Sequence, residues 1–474
     1  MSQLVGTSSR TFFTSDPASP SQTVVELTAA SAADVEAALA SAAAASTGWA
    51  RVTAGQRSAA LHRAADALAA RAPELASLIT REEGKPLSSA TGEVSKSVEQ
   101  LRFAAQLAYQ VEGRTFPVET SGTAASTLRT PIGVVVAITP WNFPVSLAAR
   151  KIAPALAAGN AVIFKPSPVT AGSGQLLADA LHEGGVPVEV LQVLHGDDRE
   201  AMAALVGSEI VAGVSFTGSD AVGALLRGQA NPRARLQLEL GGHNASVICR
   251  DADLDAAARH VVAGAFELTG QACTATDRVL VERSVLGPLV DRLGQAVSEL
   301  AVGRGDQPGT RVGPVATLAQ KTRLSDLLAS GTTAGTVVAQ ADLPTSLDPD
   351  GYWVRPTLFT DLPDDHPINT REVFGPLLSV VPVDSVREAI DLVNASRHGL
   401  VTAVHTRDLS AALSFASQVT CGIVKVNART TGNGLAPPFG GWKESSSGAF
   451  PEGGVTALDF VTDTKSVYIS YEEA

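Results

Sequence analysis

Apolar residues recur at every third or fourth position across residues 31–45 and 55–83, with charges between them, and that spacing predicts amphipathic helices. Alanine dominates both stretches, which favours helix and says little about chemistry. From residue 133 the pattern changes to short apolar runs separated by helical-period sequence. Residues 133–138, 161–164, 188–194 and 210–216 read as strands, and 145–158, 172–183, 200–206 and 219–228 as helices. After Gly242 a second alternating region opens with a strand at 244–248, a helix at 253–268 and a strand at 278–281, and runs to about Ser445. Repeated strand–helix alternation with short Gly/Pro punctuation predicts an α/β fold of two doubly wound parallel sheets. Two pieces fit neither: the Thr/Ser-rich stretch 114–130 and the tail 456–474, strand-like at 465–469. They read as surface hairpins with exposed edges. The start, through about Gln22, is turn-rich.

A length of 474 residues allows roughly three domains. The 45% apolar content can fill a large core, and no run of about 18 apolar residues argues for a membrane span. Met1-Ser2-Gln3-Leu4-Val5-Gly6 lacks the basic-then-apolar layout of a secretory signal, so a cytoplasmic location is expected. A net charge of −12 and a pI near 5.2 disfavour nucleic acid, which needs a basic surface. The three cysteines, Cys249, Cys273 and Cys421, form no pairs by spacing and argue for reduced thiols. Cys249 and Cys421 lie in strand-like runs and read as packing residues. No His/Cys cluster has metal-ligand spacing, so no metal site is expected.

Cys273 differs, because Thr269-Gly270-Gln271-Ala272-Cys273-Thr274 frames it with small and polar residues. Upstream, Leu238-Glu239-Leu240-Gly241-Gly242 offers a carboxylate beside a flexible turn, and Pro140-Trp141-Asn142-Phe143-Pro144 sets an amide at a strand end. A thiol, a base and an uncharged donor are the parts of covalent catalysis at a carbonyl. With Glu372-Val373-Phe374-Gly375-Pro376 and Pro438-Phe439-Gly440-Gly441-Trp442-Lys443, these stretches resemble, in order along nearly the whole chain, the aldehyde dehydrogenase superfamily of hydrolytic, NAD(P)-dependent type.

The resemblance implies a cofactor-binding domain at 1–113 and 131–241, a catalytic domain at 242–455 and an oligomerisation arm at 114–130 and 456–474, building a homodimer or homotetramer. It implies Cys273 as nucleophile, Glu239 as base for the hydrolytic water, and Asn142 with the Cys273 backbone N–H as oxyanion donors. A free thiol has a pKa of about 8.5, so a helix terminus or other local field is expected to raise its thiolate fraction. For NAD or NADP, a G-x-G-x-x-G fingerprint is absent, and Gly303-Arg304-Gly305-Asp306 follows the wrong element. Phe216-Thr217-Gly218-Ser219, a strand ending at a helix start, can meet a pyrophosphate with its N–H groups and the Ser219 hydroxyl. By resemblance Lys165, Ser167 and Pro168 contact the adenosine end, Thr139, Trp141 and Leu240 lend mainly backbone, and Glu372 holds the nicotinamide ribose with Phe374 beside the ring.

Many NAD-preferring relatives carry Glu three positions after this Lys, where it repels a 2′-phosphate. Pro168 stands here, which leaves NADP use open. For the aldehyde, the resemblance places Phe143, Ser146, Leu147 and Arg150 at the entrance. Arg150 could clamp a carboxylate bidentately, as in succinic semialdehyde dehydrogenases, or serve structure alone. Those enzymes carry a second Arg six residues before the cysteine, where this chain has Glu267, and often a second cysteine where it has Ala275. The stretches Lys443-Glu444-Ser445-Ser446-Ser447-Gly448 and Ala457-Leu458-Asp459-Phe460 are similar to ketoglutaric semialdehyde dehydrogenases. The competing functions are a CoA-acylating dehydrogenase, whose known relatives lack the base at Glu239, and a non-redox thiol esterase.

Overall fold

Short buried runs of Val, Ile and Ala carry the first alternating region into a five-stranded sheet in the computed structural model, which describes residues 10–472. Its spatial order is Leu191–Val193, Ala161–Lys165, Val134–Ile138, Val211–Thr217, Arg235–Glu239, and every pairing is parallel. The chain starts in the middle, winds to one edge, then returns past its start to the other. That reversal creates a crevice at the C-terminal ends of Val134–Ile138 and Val211–Thr217, the usual ligand position in such sheets. Helices cover both faces, which is why the strands are apolar on both sides instead of alternating.

The second region forms a seven-stranded sheet with Asn244–Ile248, Thr276–Glu282, Leu377–Val383 and Val401–His405 at its centre. All its pairings are parallel except at one edge, where Thr336–Gln340 runs antiparallel to Thr357–Thr360. The two remaining pieces pair with each other. Thr462–Ser470 lies antiparallel along the whole of Thr123–Pro131, which also takes Thr115–Phe116 on its other side.

The structure departs from the sequence expectation in several places. The turn-rich start is a bulged hairpin of Thr11–Asp16 and Ser19–Thr28. The helical stretch from 55 breaks at Arg71, where Pro73 begins a new helix, Ala72–Glu83. A further helix, Leu87–Leu107, buries a stripe from Ala90 to Leu107. The strand expected at 188–194 shortens to Leu191–Val193, because the Val190 and Leu191 N–H groups bond back to the Pro187 carbonyl. The helix expected to reach 268 stops at Phe266, and Leu268, Thr269 and Gly270 take left-handed backbone angles that swing the chain toward Cys273. Among the described residues no helix is long and apolar enough to cross a membrane.

Candidate active site

Strand ends deliver the three central residues. Glu239 closes the last strand of the first sheet, Asn142 follows the central strand, and Cys273 lies on the turn before Thr276–Glu282. Gly241 and Gly242 allow the close approach: a Cβ on Gly242 would collide with the Cys273 carbonyl, and one on Gly241 would sit 2.8 Å from the Glu372 carboxylate. Asn244 completes the fastening, since its Nδ2 donates to the carbonyls of Cys273 at 2.8 Å and Ala275 at 2.7 Å.

Asn142 is 3% exposed and donates one Nδ2 proton to the Gln271 carbonyl at 2.8 Å. That bond orients the amide and leaves its second N–H free. The Cys273 backbone N–H meets no acceptor among the described residues. Asn142 and Cys273 thus each keep an N–H of the kind an oxyanion site requires.

Cys273 is partly exposed, and its thiol is pushed up to about 12 by burial, then by the charges of Glu372 and Glu239, with Arg150 opposing. The expected thiolate-favouring field is therefore missing: Cys273 follows a helix C-terminal end, not an N-terminal one, and two acids face it. Burial, then Glu452, raises the Glu239 carboxyl well above the ordinary carboxylate range, while Lys151 pulls it down. Glu239 is 2% exposed; its carboxylate accepts from the Gly441 backbone N–H and, at 3.4 Å, from the Ser446 hydroxyl, while Oε2 has no partner among the described residues. A carboxylate with a raised pKa and a free oxygen is a stronger base than an ordinary one and suits proton removal.

Sequence reasoning missed the charges behind this site. Lys151 ion-pairs with Glu452 and bonds the Ser215 hydroxyl at 3.1 Å, and all three are almost completely buried. Lys85 is fully buried and holds the loop of Asn142: its ammonium donates to Glu93 at 2.8 Å and to the Asn142 carbonyl at 2.5 Å, and lies over the Phe143 ring. Glu93 in turn accepts from the Val145 and Ser146 N–H groups. Lys151 and Glu93 stand at apolar-spaced positions of helices, which in sequence resembles an ordinary solvated face, and Lys85 and Glu452 stand in connecting segments that carry no such mark.

The remaining expected residues gather along the crevice of the first sheet. Thr139 and Thr217, at adjacent strand ends, have buried hydroxyls without partners. Lys165 is 8% exposed, and its ammonium is pushed down to about 8 by burial. Ser167 caps the short 3₁₀ turn that Pro168 begins. Ser219 caps the helix Asp220–Gln229, while the Gly218 N–H is taken by the Glu239 carbonyl and Phe216 packs beneath Gly218. Asp220 is bridged to His398 at 2.8 Å, which with Arg397 offsets a negative charge at that helix start. Leu240 is buried against Gly223. Glu372 accepts from the Gly242 N–H, and its carboxyl is pushed up to about 8, first by burial and then by Asp277. Phe374, at a φ of 47°, meets Trp141 edge-on at 5.5 Å.

A narrow cleft lies between the helices Leu87–Leu107 and Ser146–Ala158 and the loop from Gly434 to Phe439. Arg150 lines it. Among the described residues its guanidinium has no hydrogen-bond or ion-pair partner, only the face of Phe439 at 4.7 Å. Phe143, Ser146 and Leu147 precede it on the same segment, with Ser146 and Leu147 buried.

Comparison with known proteins identifies the family. The sequence profile of the aldehyde dehydrogenase family matches residues 4–467. An α-ketoglutaric semialdehyde dehydrogenase of Bacillus subtilis is 34% identical over 457 residues, covering 96% of this chain and 93% of that protein. A 2,5-dioxopentanoate dehydrogenase of Saccharolobus solfataricus is 37% identical over 423 residues, covering 89% and 88%. A solved structure from Sinorhizobium meliloti, complexed with NAD and described as a methylmalonate-semialdehyde dehydrogenase, superposes with a TM-score of 0.95 at 30% identity, covering 100% of this chain and 97% of that one.

Proposed function

We propose, from the premise that this chain belongs to the aldehyde dehydrogenase family, that it oxidises a semialdehyde, an aldehyde with a carboxylate at its far end, to the dicarboxylate. That it is an oxidoreductase using NAD or NADP on an aldehyde group follows from the family. The semialdehyde substrate and the covalent route are our own reading. One observation carries it: Arg150, a cation without a partner, lines a cleft and is close enough to Cys273 and Glu239 to pull down the pKa of both. A guanidinium left unsatisfied in a cleft calls for an anion, and carboxylates match its fork. The relatives named above act, by their names, on semialdehydes or on a dioxo acid.

In this mechanism Glu239 takes the Cys273 proton and passes it to solvent, and the sulfur bonds to the carbonyl carbon. The displaced electron pair collects on oxygen, facing the free Asn142 N–H and the Cys273 N–H. NAD(P), when bound, supplies the hydride acceptor that turns the thiohemiacetal into a thioester. The orphaned hydroxyls of Thr139 and Thr217, with Lys165 and Glu372, are the groups suited to hold it. Glu239 then takes a proton from water as the water oxygen bonds to the thioester carbon. The C–S bond breaks, the acid leaves and the sulfur is restored. We further assign residues 1–113 and 131–241 to cofactor binding, 242–455 to the nucleophile, and 114–130 with 456–474 to a homodimer or homotetramer contact. The exposed Leu128, Tyr468 and Ile469 on that small sheet support the last assignment.

The test is a panel of succinic semialdehyde, α-ketoglutaric semialdehyde, butanal and pentanal, each with NAD and NADP. A kcat/KM at least about tenfold higher for the acidic aldehydes is expected. Equal or better use of the uncharged ones would overturn the semialdehyde assignment.

A further inference from the structure

Gln100, Phe103, Ala104 and Leu107 form one wall of the cleft and follow the three-and-four spacing of a single helix face. Lys96, four residues before Gln100, extends that face by one turn. Its ammonium donates to the Asn433 carbonyl at 2.8 Å, and Asn433 precedes Gly434 and Leu435 on the opposite wall. Lys96 therefore spans from one wall to the other at the end of the cleft.

That contact uses one of the three donors of an ammonium. Among the described residues no carboxylate pairs with Lys96: Glu93, on its own helix, is held by Lys85 and by the Val145 and Ser146 N–H groups, and Glu99 makes no ion pair with it. The neighbouring cations are accounted for differently. Arg429 is neutralised by Glu267 at 2.6 Å, and Lys425 donates to the carbonyls of Thr431 and Gly432. Among the described residues Lys96 and Arg150 are left without counter-ions, Arg150 on the cleft wall and Lys96 one helical turn beyond it, bonded to Asn433 beside the opposite wall.

We infer that Lys96 and Arg150 together form a two-cation subsite for the distal carboxylate, and that Lys96 sets the preference for acidic over uncharged aldehydes. This rests on the semialdehyde reading of the site. Burial, and then the charge of Arg150, lowers the Lys96 ammonium from its ordinary value, with Glu99 and Glu93 opposing. Two like charges raise each other's cost, and an anion between them relieves both. A carboxylate has two oxygens; the Arg150 fork and the Lys96 ammonium can address both, so chain length from aldehyde to acid is read as well as charge.

The experiment compares succinic semialdehyde with butanal, of equal carbon number, in the full-length enzyme with saturating cofactor. Lys96→Gln keeps a donor for the Asn433 carbonyl and removes the charge. It should lower kcat/KM for succinic semialdehyde at least about tenfold, through KM, and leave butanal within about twofold. Lys96→Arg should restore most of the loss. In the native enzyme, KM for the acid should rise as pH climbs through the lowered Lys96 range, with KM for butanal flat. Equal losses on both aldehydes, or no loss on either, would show Lys96 to be a clamp on the loop and overturn the subsite. If native enzyme does not distinguish the two aldehydes, the semialdehyde reading itself falls. If Arg150→Met abolishes the preference and Lys96→Gln preserves it, only the role of Lys96 falls.

Discussion

The Glu372 carboxylate accepts the Gly242 N–H at 2.9 Å, and this bond fixes a second acid beside the sulfur of Cys273. Glu372 is the largest charge contribution holding that thiol protonated.

Glu372→Gln should therefore speed alkylation of Cys273. Removing a negative neighbour favours the thiolate, so the thiol pKa falls from about 12 and the iodoacetamide rate at a fixed pH near 8 rises. Rates measured across pH in the absence of cofactor check this. An unchanged rate would mean that burial alone sets the thiol.

Cys273→Ala should abolish aldehyde oxidation and leave nucleotide binding intact, because sulfur attack precedes hydride loss. Cys249→Ala and Cys421→Ala should keep most turnover. Both are buried, with thiols pushed up to about 12 and about 11, chiefly by burial. Reduced-cofactor formation by Cys273→Ala would remove the covalent route.

Glu239→Gln should release about one equivalent of reduced cofactor and then stall as thioester accumulates. The same residue gives a pH prediction. A base works deprotonated, so turnover should decline as pH falls through its raised pKa. Lys151 lowers that pKa, so Lys151→Met should move the acid limb of the kcat profile to higher pH. A steady state untouched by Glu239→Gln would exclude it as the base, and a limb that stays in place would exclude control by Lys151.

Pro168 sits half-buried at the first position of a 3₁₀ turn, three residues past Lys165. We expect measurable NADP use by the native enzyme. Pro168→Glu should lower kcat/KM for NADP more than for NAD, because a carboxylate repels the roughly −2 charge of a phosphate. Pro168→Gln controls for backbone change. Equal shifts by Glu and Gln in the NAD/NADP ratio would defeat the charge argument.

The parts visible in sequence were those encoded locally. Strand–helix alternation showed in period and punctuation, and Asn142, Glu239 and Cys273 each stand in a short motif whose glycines and prolines fix the turn. The hairpin of Thr11–Asp16 and Ser19–Thr28 was hidden because its register shifts break the period-two pattern. Lys85, Lys151 and Glu452 were hidden for another reason. Their partners lie 8, 57 and 301 positions away, and a lone charge on a helix or in a loop carries no mark of whether fold or water will receive it. Cys273 was legible as a candidate nucleophile, but not the upward push on its thiol, which comes from burial and then from Glu372, 99 positions downstream (372 − 273).

The ion pair of Lys151 with Glu452 also bears on how the protein is made. A ribosome completes the first sheet long before it reaches Glu452, so the nascent chain carries Lys151 without its counter-ion for most of synthesis. The same is true of Thr123–Pro131, whose long partner is almost the last segment translated. A chain cut short before Glu452 would keep Asn142, Glu239 and Cys273 and still lack the charge that balances Lys151. Such a fragment would carry an uncovered strand edge and an unneutralised ammonium.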